Sequence, residues 1–445
     1  MFRPTGFAEL TGKRVGIFGY GIEGRASAAR IGGLAELVIV DDADLGPGVL
    51  VNDAGGHEAL LTCDVVLKSP GIARRRPDVI DLETHGVTVT SALNLWLHES
   101  DRSRVLAVTG TKGKSTTTSL ITFFLECLNE SALALGNIGQ PPYDPAIETA
   151  HRWLVLEVSS YQCVDIDIAP ALVVVTSLGA DHLDWHGSLE QYHADKLALT
   201  RAQGPHRTLV PDTAVMHEVV DQLGGEVRFV STDTHDLAAS LGLLGAHSAS
   251  NVALALASVA TLTGRTHREL RSIISHRAAD FIPLRGRLTL IAERRGDQGR
   301  VRFVDDGLAT APLPTVAALD VFRDEPVALI AGGFDRGVDY GPLARALASR
   351  HSSTLVVTMG EAGRRIAEAA RQIAPSINER AVNSMSEAVD LAWSFVDGTG
   401  VVLLSPAAPS FDAYRNWEER SDDFAREVRR VLSGEAPGHA GRSVP

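Results

Sequence analysis

The strongest chemical signal in the sequence is the run Thr109-Gly110-Thr111-Lys112-Gly113-Lys114-Ser115-Thr116. Glycines let successive backbone N–H groups converge on phosphate oxygens, and a helix starting behind them adds its positive end. Lys114 is spaced to reach the terminal phosphates of a nucleotide, and the Ser115 hydroxyl to bind Mg²⁺. The spacing is not the strict GxxxxGK[ST] pattern, because Val108 stands where its first glycine would be. A plain glycine-rich turn with an exposed lysine is the competing reading. The apolar strand at 105–108 and the helical pattern from about Ser115 favour a phosphate loop.

Two further strand ends carry groups suited to a metal. Glu157 closes an apolar run at the carboxyl edge of a strand, where ligands collect in open α/β sheets, and a hard oxygen there suits Mg²⁺. A carboxylate capping the next helix is the alternative. The third strand end reads Asp181-His182-Leu183-Asp184-Trp185-His186, with Tyr192-His193-Ala194-Asp195-Lys196 following. His182 beside two aspartates reads as a metal or phosphate neighbour. Lys196 alone is ambiguous, since an exposed helix lysine is the default.

A second glycine pattern lies near the start: Gly19-x-Gly21-x-x-Gly24 after a strand at 15–18, with Asp41 at the end of the next strand. Taken literally this is a dinucleotide fingerprint and suggests a nicotinamide-dependent dehydrogenase. A single such motif is weak, and a complete phosphate loop follows it. Ser69-Pro70-Gly71 forms a further strand-end turn.

These loops need a scaffold of parallel strands and helices. The β-branched runs around 154–158 and 171–176 predict strands buried on both faces, hence an α/β fold with parallel sheets. At 445 residues the chain is too long for one core, and three domains are expected. Charged or proline-bearing junctions at 99–104 and 283–287 give boundaries of 1–98, 99–286 and 287–445. In the last region, strands near 301–304, 327–331, 354–358 and 401–404 alternate with helices near 313–321, 341–350 and 385–396. A disordered tail is expected from Gly434 onward.

The net charge of −13 argues against a general affinity for nucleic acid or anionic membrane. The three cysteines, Cys63, Cys127 and Cys163, show no CxxC or Cys/His metal spacing, which suits a reducing compartment. There is no apolar leader and no apolar stretch of transmembrane length, so a cytoplasmic protein is expected.

The ordered set TGTKGKST, GNIG, EVSSYQ, ADHLDWHGSLEQYHADK and LLSPAAPSFDAYRNWEER resembles the Mur ligases of peptidoglycan synthesis. Within that family it is most similar to the glutamate-adding members, and the resemblance covers nearly the whole chain. It implies a Rossmann-like UDP-binding domain, a central ATPase and a C-terminal Rossmann-like domain that brings the amino acid. The implied reaction is an ATP-dependent coupling of glutamate to UDP-N-acetylmuramoyl-L-alanine through an acyl phosphate.

The resemblance also implies residue roles. Gly110, Thr111, Lys112, Gly113, Lys114, Ser115 and Thr116 would hold ATP, with Asn251, Arg287 and Asp306. Lys114, His182 and Lys196 would be catalytic. Ser115, Glu157, His182 and a carbamylated Lys196 would hold two Mg²⁺ ions. Gly21, Ile22, Glu23, Asp41, Ser69, Pro70 and Gly71 would cradle the UDP moiety, and Asn137, Ser159 and Gln162 would face the muramoyl-alanyl part or the metals. Thr310, Arg336, Ser410 and Trp417 would form the glutamate pocket. Closure of the third domain over the second and a monomeric enzyme are expected.

Departures from the family pattern bear on the amino acid. Leu308 stands where glutamate ligases of this family usually carry lysine, Ser248 replaces an Asn, and Gly286 replaces a His. The loss of one cation tilts the reading from D-glutamate, the usual substrate, towards L-glutamate. Two rivals remain. Folylpolyglutamate synthase lacks such a UDP domain, and a non-catalytic UDP-sugar-binding regulator would leave Glu157, His182 and Lys196 without a purpose.

Overall fold

The β-branched runs form the middles of sheets. In a computed structural model, which describes residues 2–296 and 299–434, every residue of the strands Val105–Thr109 and Leu172–Val175 is buried. Neither face of these strands meets water, which is why they lack apolar/polar alternation. The tail expected to be disordered lies, beyond Gly434, outside the described residues.

The first sheet contains β1 (Arg14–Phe18), β2 (Glu36–Asp41), β3 (Leu50–Val51), β4 (Val65–Lys68) and β5 (Thr88–Thr90), ordered β3-β2-β1-β4-β5 and parallel throughout. The chain order reverses between β1 and β4, so the loops after these strands flank a topological switch point, the usual ligand crevice of such sheets. The second sheet contains β6 (Val105–Thr109), β7 (Ala132–Gly136), β8 (Trp153–Glu157), β9 (Leu172–Val175), β10 (Arg207–Pro211) and β11 (Glu226–Val230). Its order is β11-β10-β9-β6-β8-β7, again parallel. β6 therefore lies between β8 and β9, with the three candidate strand ends side by side.

These two sheets belong to one compact unit, residues 1–237 and 247–280. A single apolar cluster joins them, running from Val15 and Ile17 through Leu95 and Trp96 to Val105, Leu156 and Val173. The helix Ala92–Glu99 is the bridge: its residues 92–97 are all buried. The charged segment 99–104 that follows thus lies next to a shared core.

The second unit comprises residues 238–246 and 281–445. Its sheet contains β12 (Thr289–Gly296), β13 (Gly299–Asp305), β14 (Val327–Gly332), β15 (Thr354–Met359), β16 (Asn378–Ala381) and β17 (Gly400–Leu404). The order is β12-β13-β17-β14-β15-β16, with only β12 antiparallel among the described residues. Apolar clusters cover both faces, one around Leu329, Leu343 and Ile366 and the other around Ile330, Val389 and Phe424.

Candidate active site

At the carboxyl edge of the second sheet, register fixes the candidate groups. Val108 pairs with Glu157 on β8 and with Val174 on β9, so the loop after β6 sits between Glu157 and Thr176. Gly110 has φ +137°, and a Cβ there would fall 2.1 Å from Thr176 Oγ1. Gly113 has φ +88°, and its Cβ would fall 2.4 Å from Asn251 Oδ1. Both positions require glycine, and Asn251, buried on the helix Ala246–Thr263, is packed against the loop. The helix Lys114–Cys127 starts at Gly113 with no side-chain cap. Its first amides are therefore available to an anion.

Lys114 folds back over the loop and donates from Nζ to the Gly110 carbonyl at 2.9 Å and the Thr111 carbonyl at 3.1 Å. Lys112 is turned outward to Asp181 at 3.1 Å. Lys196, on the helix Leu189–Leu197, reaches the same loop from beneath, donating to the Gly110 carbonyl at 2.9 Å with only 1% exposure. Burial pushes its ammonium down to about 7, and the Lys114 charge acts in the same direction. An amine so placed has an appreciable neutral, nucleophilic fraction near neutrality. Ser115 and Thr116 are half-buried on the first turn.

Glu157 is 2% exposed. Asn137 Nδ2 donates to its Oε1 at 2.7 Å, while Oε2 is buried without a hydrogen-bond partner among the described residues. A desolvated carboxylate oxygen left bare is costly, and a hard cation is the partner its chemistry fits. His182 has a half-exposed side chain, φ +49°, and its ring centroid 5.1 Å from that of Tyr161. Among the described residues, no group of three or more His, Cys, Asp and Glu side chains is assembled for a metal.

The loops at the first sheet's switch point also fit together closely. Ser69 Oγ donates to the Gly19 carbonyl at 2.6 Å, and a Cβ on Gly24 would lie 2.0 Å from the same oxygen. Asp41 accepts from the backbone N–H of Tyr20 at 2.6 Å and of Ala43 at 3.0 Å. Gly21, Ile22 and Gly71 are exposed and Pro70 half-buried, so this rim is open to a ligand. Glu23 faces inward. Its Oε2 accepts from Tyr143 at 2.8 Å and its Oε1 from Gln162 Nε2 at 2.6 Å, and burial pushes its carboxyl up. Gln162 in turn completes a capping box with Ser159. Glu23, Ser159 and Gln162 therefore form one linked group, with Asn137 held separately on Glu157.

Sequence reasoning passed over the residues that join these loops. Arg74, Arg75 and Arg76 follow Ser69-Pro70-Gly71 and each holds an acid. Arg74 pairs with Asp165 at 3.0 Å and Glu83 at 2.5 Å, Arg75 with Asp195 at 2.6 Å, and Arg76 with Asp42 and Asp78, both at 2.6 Å. The three consecutive arginines were a visible signal, but their partners lie up to 120 positions away.

In the second unit, Arg287, Asp306 and Thr310 gather near the start of the sheet. Asp306 accepts from Ser405 Oγ at 2.8 Å and from the Leu288 N–H at 3.3 Å. Burial pushes its carboxyl up to about 7, against the pull of these hydrogen bonds and of Arg287. The Trp417 ring lies on Gly286, whose Cβ would fall 2.6 Å from it, so a histidine there would displace the indole. Ser410 is buried, Thr310 half-buried and Arg336 exposed. Arg420, another residue not singled out from sequence, donates to the carbonyls of Gly307, Gly332 and Ala408 at 3.1–3.3 Å. It ties together the loops that carry Thr310, Arg336 and Ser410. A cavity of about 220 Å³ opens beside it, lined by Gly332, Gly333, Gly360, Asn383 and Asp412.

A glycine-bearing loop between a parallel strand and an uncapped helix start, at the same sheet edge as a buried carboxylate and with a buried lysine on it, has the character of an ATP-using enzyme. Residues 108–217 match the family description Mur ligase middle domain. A UDP-N-acetylmuramoyl-L-alanine–L-glutamate ligase of Micromonospora sp. is 37% identical over 98% of this chain and 99% of its own length. The enzyme of the same name from Salinispora tropica is 37% identical over 95% and 98%. A UDP-N-acetylmuramoylalanine–D-glutamate ligase of Leuconostoc citreum is 31% identical over 95% and 99%. Among solved structures, a MurF ligase from Thermotoga maritima in complex with ADP matches 96% of this chain and 97% of its own, at a TM-score of 0.55 and 15% identity, a likeness of fold. The chain belongs to the Mur ligase family, ATP-dependent enzymes that form amide bonds.

Proposed function

We propose that this enzyme couples L-glutamate to UDP-N-acetylmuramoyl-L-alanine in the cytoplasmic stage of peptidoglycan synthesis, acting as a monomer. The observation that carries the catalytic part is the convergence of Lys114 and Lys196 on the Gly110 carbonyl, at the same sheet edge as a buried Glu157 oxygen with no hydrogen-bond partner among the described residues. The substrate carboxylate attacks the γ-phosphorus of ATP, ADP leaves, and an acyl phosphate forms. The glutamate amine then attacks the acyl carbon, inorganic phosphate leaves, and the amine proton passes to solvent or a base. Lys114 offsets charge on the transferring phosphoryl group, and Asn251 braces the loop that holds it.

Ser115, Glu157, His182 and a carbamylated Lys196 would hold two Mg²⁺ ions, which when bound neutralise phosphate charge. The near-neutral Lys196 amine suits carbamate formation, because only the free base reacts with CO₂. The loops at Gly21, Ile22, Asp41 and 69–71 bind the UDP end, with Glu23, Ser159, Gln162 and Asn137 behind the muramoyl-alanyl part. Arg287 and Asp306 serve the nucleotide, and Thr310, Arg336, Ser410 and Trp417 the glutamate. We read the chain as three functional domains, 1–98, 99–286 and 287–445.

Enantiomers place the same amine and two carboxylates on a mirror-image carbon. Holding the amine in line therefore moves at least one carboxylate, and a change of hand should alter the cations that meet it. Leu308, in place of lysine, is such a change, and the L-glutamate names of the 37%-identical relatives agree with it. D-glutamate is the second reading, favoured by exposed Arg336 as a replacement cation and by the D-glutamate relative. Initial rates of ADP release with UDP-N-acetylmuramoyl-L-alanine and either pure enantiomer decide it. Tenfold faster use of D-glutamate would end the L-glutamate reading, and no release with either would end the glutamate assignment.

A further inference from the structure

Behind the phosphate loop lies a Ser–His–Asp arrangement that the proposed reaction does not use. Ser160 Oγ is 3.0 Å from His186 Nε2, and His186 Nδ1 is 2.7 Å from Asp195 Oδ2. These are the contacts of a nucleophilic triad. Yet Ser160 and His186 are each 3% exposed and Asp195 5%, so no substrate reaches the hydroxyl. Tyr161, Trp185 and Tyr192 close around the imidazole with ring centroids 4.4–5.6 Å away. The arrangement is a brace.

What it braces follows from where its members sit. Asp195 adjoins Lys196 on the helix Leu189–Leu197, and Ser160 opens the short helix Ser160–Cys163 just beyond Glu157. Asp195 also accepts Gln191 Nε2 at 2.8 Å and two bonds from the Arg75 guanidinium, at 2.6 and 2.9 Å. Arg75 belongs to the loop that begins at Ser69 after β4. One carboxylate thus receives four hydrogen bonds from three chain segments. A rigid bidentate fork of this kind fixes orientation as well as distance.

We propose that the chain Arg75–Asp195–His186–Ser160 is a positioning device that sets the Lys196 helix and the Glu157 turn in register, and ties both to the loop after β4. The inference rests on the reading that Glu157 and Lys196 serve the ligase reaction. None of its four members touches the reacting atoms, and each acts through Lys196 or Glu157.

The test uses the full-length enzyme and the variants Arg75→Ala, Arg75→Lys, His186→Gln and Arg75→Ala/His186→Gln, each first checked for a native circular dichroism spectrum and melting profile. ADP release and the Mg²⁺ dependence of ADP binding by calorimetry are measured in parallel. Arg75→Ala should lower kcat at least tenfold, with KM for ATP within twofold, and weaken Mg²⁺-dependent ADP binding at least fivefold. Arg75→Lys should recover part of both losses. The double variant should be no worse than threefold below the poorer single one, because both cut the same chain. Independent, multiplying effects, or wild-type kcat and Mg²⁺ dependence in Arg75→Ala, would overturn the proposal. Were the wild-type enzyme to bind Mg–ADP yet release no ADP with the muramoyl substrate, the substrate assignment would fall. The binding arm would still judge the brace. Should Arg75→Ala not fold, Arg75→Lys and His186→Gln, which loses the imidazole Nδ1 bond to Asp195, carry the same comparison.

Discussion

Asn137 Nδ2 donates to Glu157 Oε1 at 2.7 Å and so leaves the carboxylate's other oxygen as a buried acceptor with no protein donor among the described residues. An unmet buried polar atom costs about 1–3 kcal/mol, more when charged. Glu157→Gln should therefore lower ADP release at least 100-fold while the metal-free protein melts at or slightly above the wild-type temperature. Loss of activity with a fall in Tm of many degrees would instead mark Glu157 as a folding residue.

Lys114 is half-buried and donates from Nζ to the Gly110 and Thr111 carbonyls, so its removal takes a positive charge from the candidate phosphate site without emptying the buried core. Lys114→Ala should abolish turnover and leave the circular dichroism spectrum unchanged. Wild-type-like ADP production by this variant would remove the phosphate-loop assignment.

Lys196 is among the largest fully buried side chains, so truncation risks a cavity worth about 2–4 kcal/mol. Lys196→Met keeps most of the volume and should fold but not turn over. Lys196→Ala should be nearly inactive and regain part of its rate with millimolar formate or acetate, whose oxygens replace those of a carbamate. No rescue would leave the carbamate without support, and a fully active Lys196→Ala enzyme would refute the role.

Asp306 lifts the prospect of a pH test on stability, since its carboxyl rises from an ordinary 3.8 to about 7. Between these values the unfolded chain has released the proton and the folded chain has kept it. The folded state binds more protons, so this group makes stability fall as pH rises from about 4 to about 7 and then level off. Asp306→Asn should flatten that part of the Tm-against-pH curve. An unchanged slope between pH 5 and 7 would show that the carboxyl is not held neutral.

The scaffold was legible where local pattern and tertiary role coincide. The buried runs at 105–108 and 171–176 announced central strands, and the glycine spacing at 109–116 announced the loop between strand and helix. Strands such as β3 and β5, two and three residues long, carry too little pattern to stand out. β12 escaped because its second half, Glu293-Arg294-Arg295-Gly296, is charged and mostly exposed, leaving only Ile291 and Ala292 packed on the core of this antiparallel edge strand. The site was legible only as single residues. Glu23 and Gln162 are bonded across 139 positions, and nothing local to either reports such a pairing. Arg420 lies within a recognisable stretch, but its role depends on three carbonyls, one at the end of β14 and two in separate loops.

The tripeptide Arg74-Arg75-Arg76 holds acids at Asp165, Asp195 and Asp42, each on a different part of the first unit. Its tolerance of change is consequently asymmetric. Exchanging one side chain loosens one attachment, whereas inserting or deleting a single residue between Gly71 and Arg74 would shift every guanidinium by one position and break all three together. The length of this short loop is thus constrained more tightly than its composition, and a one-residue insertion here should damage the enzyme more than any single substitution within it.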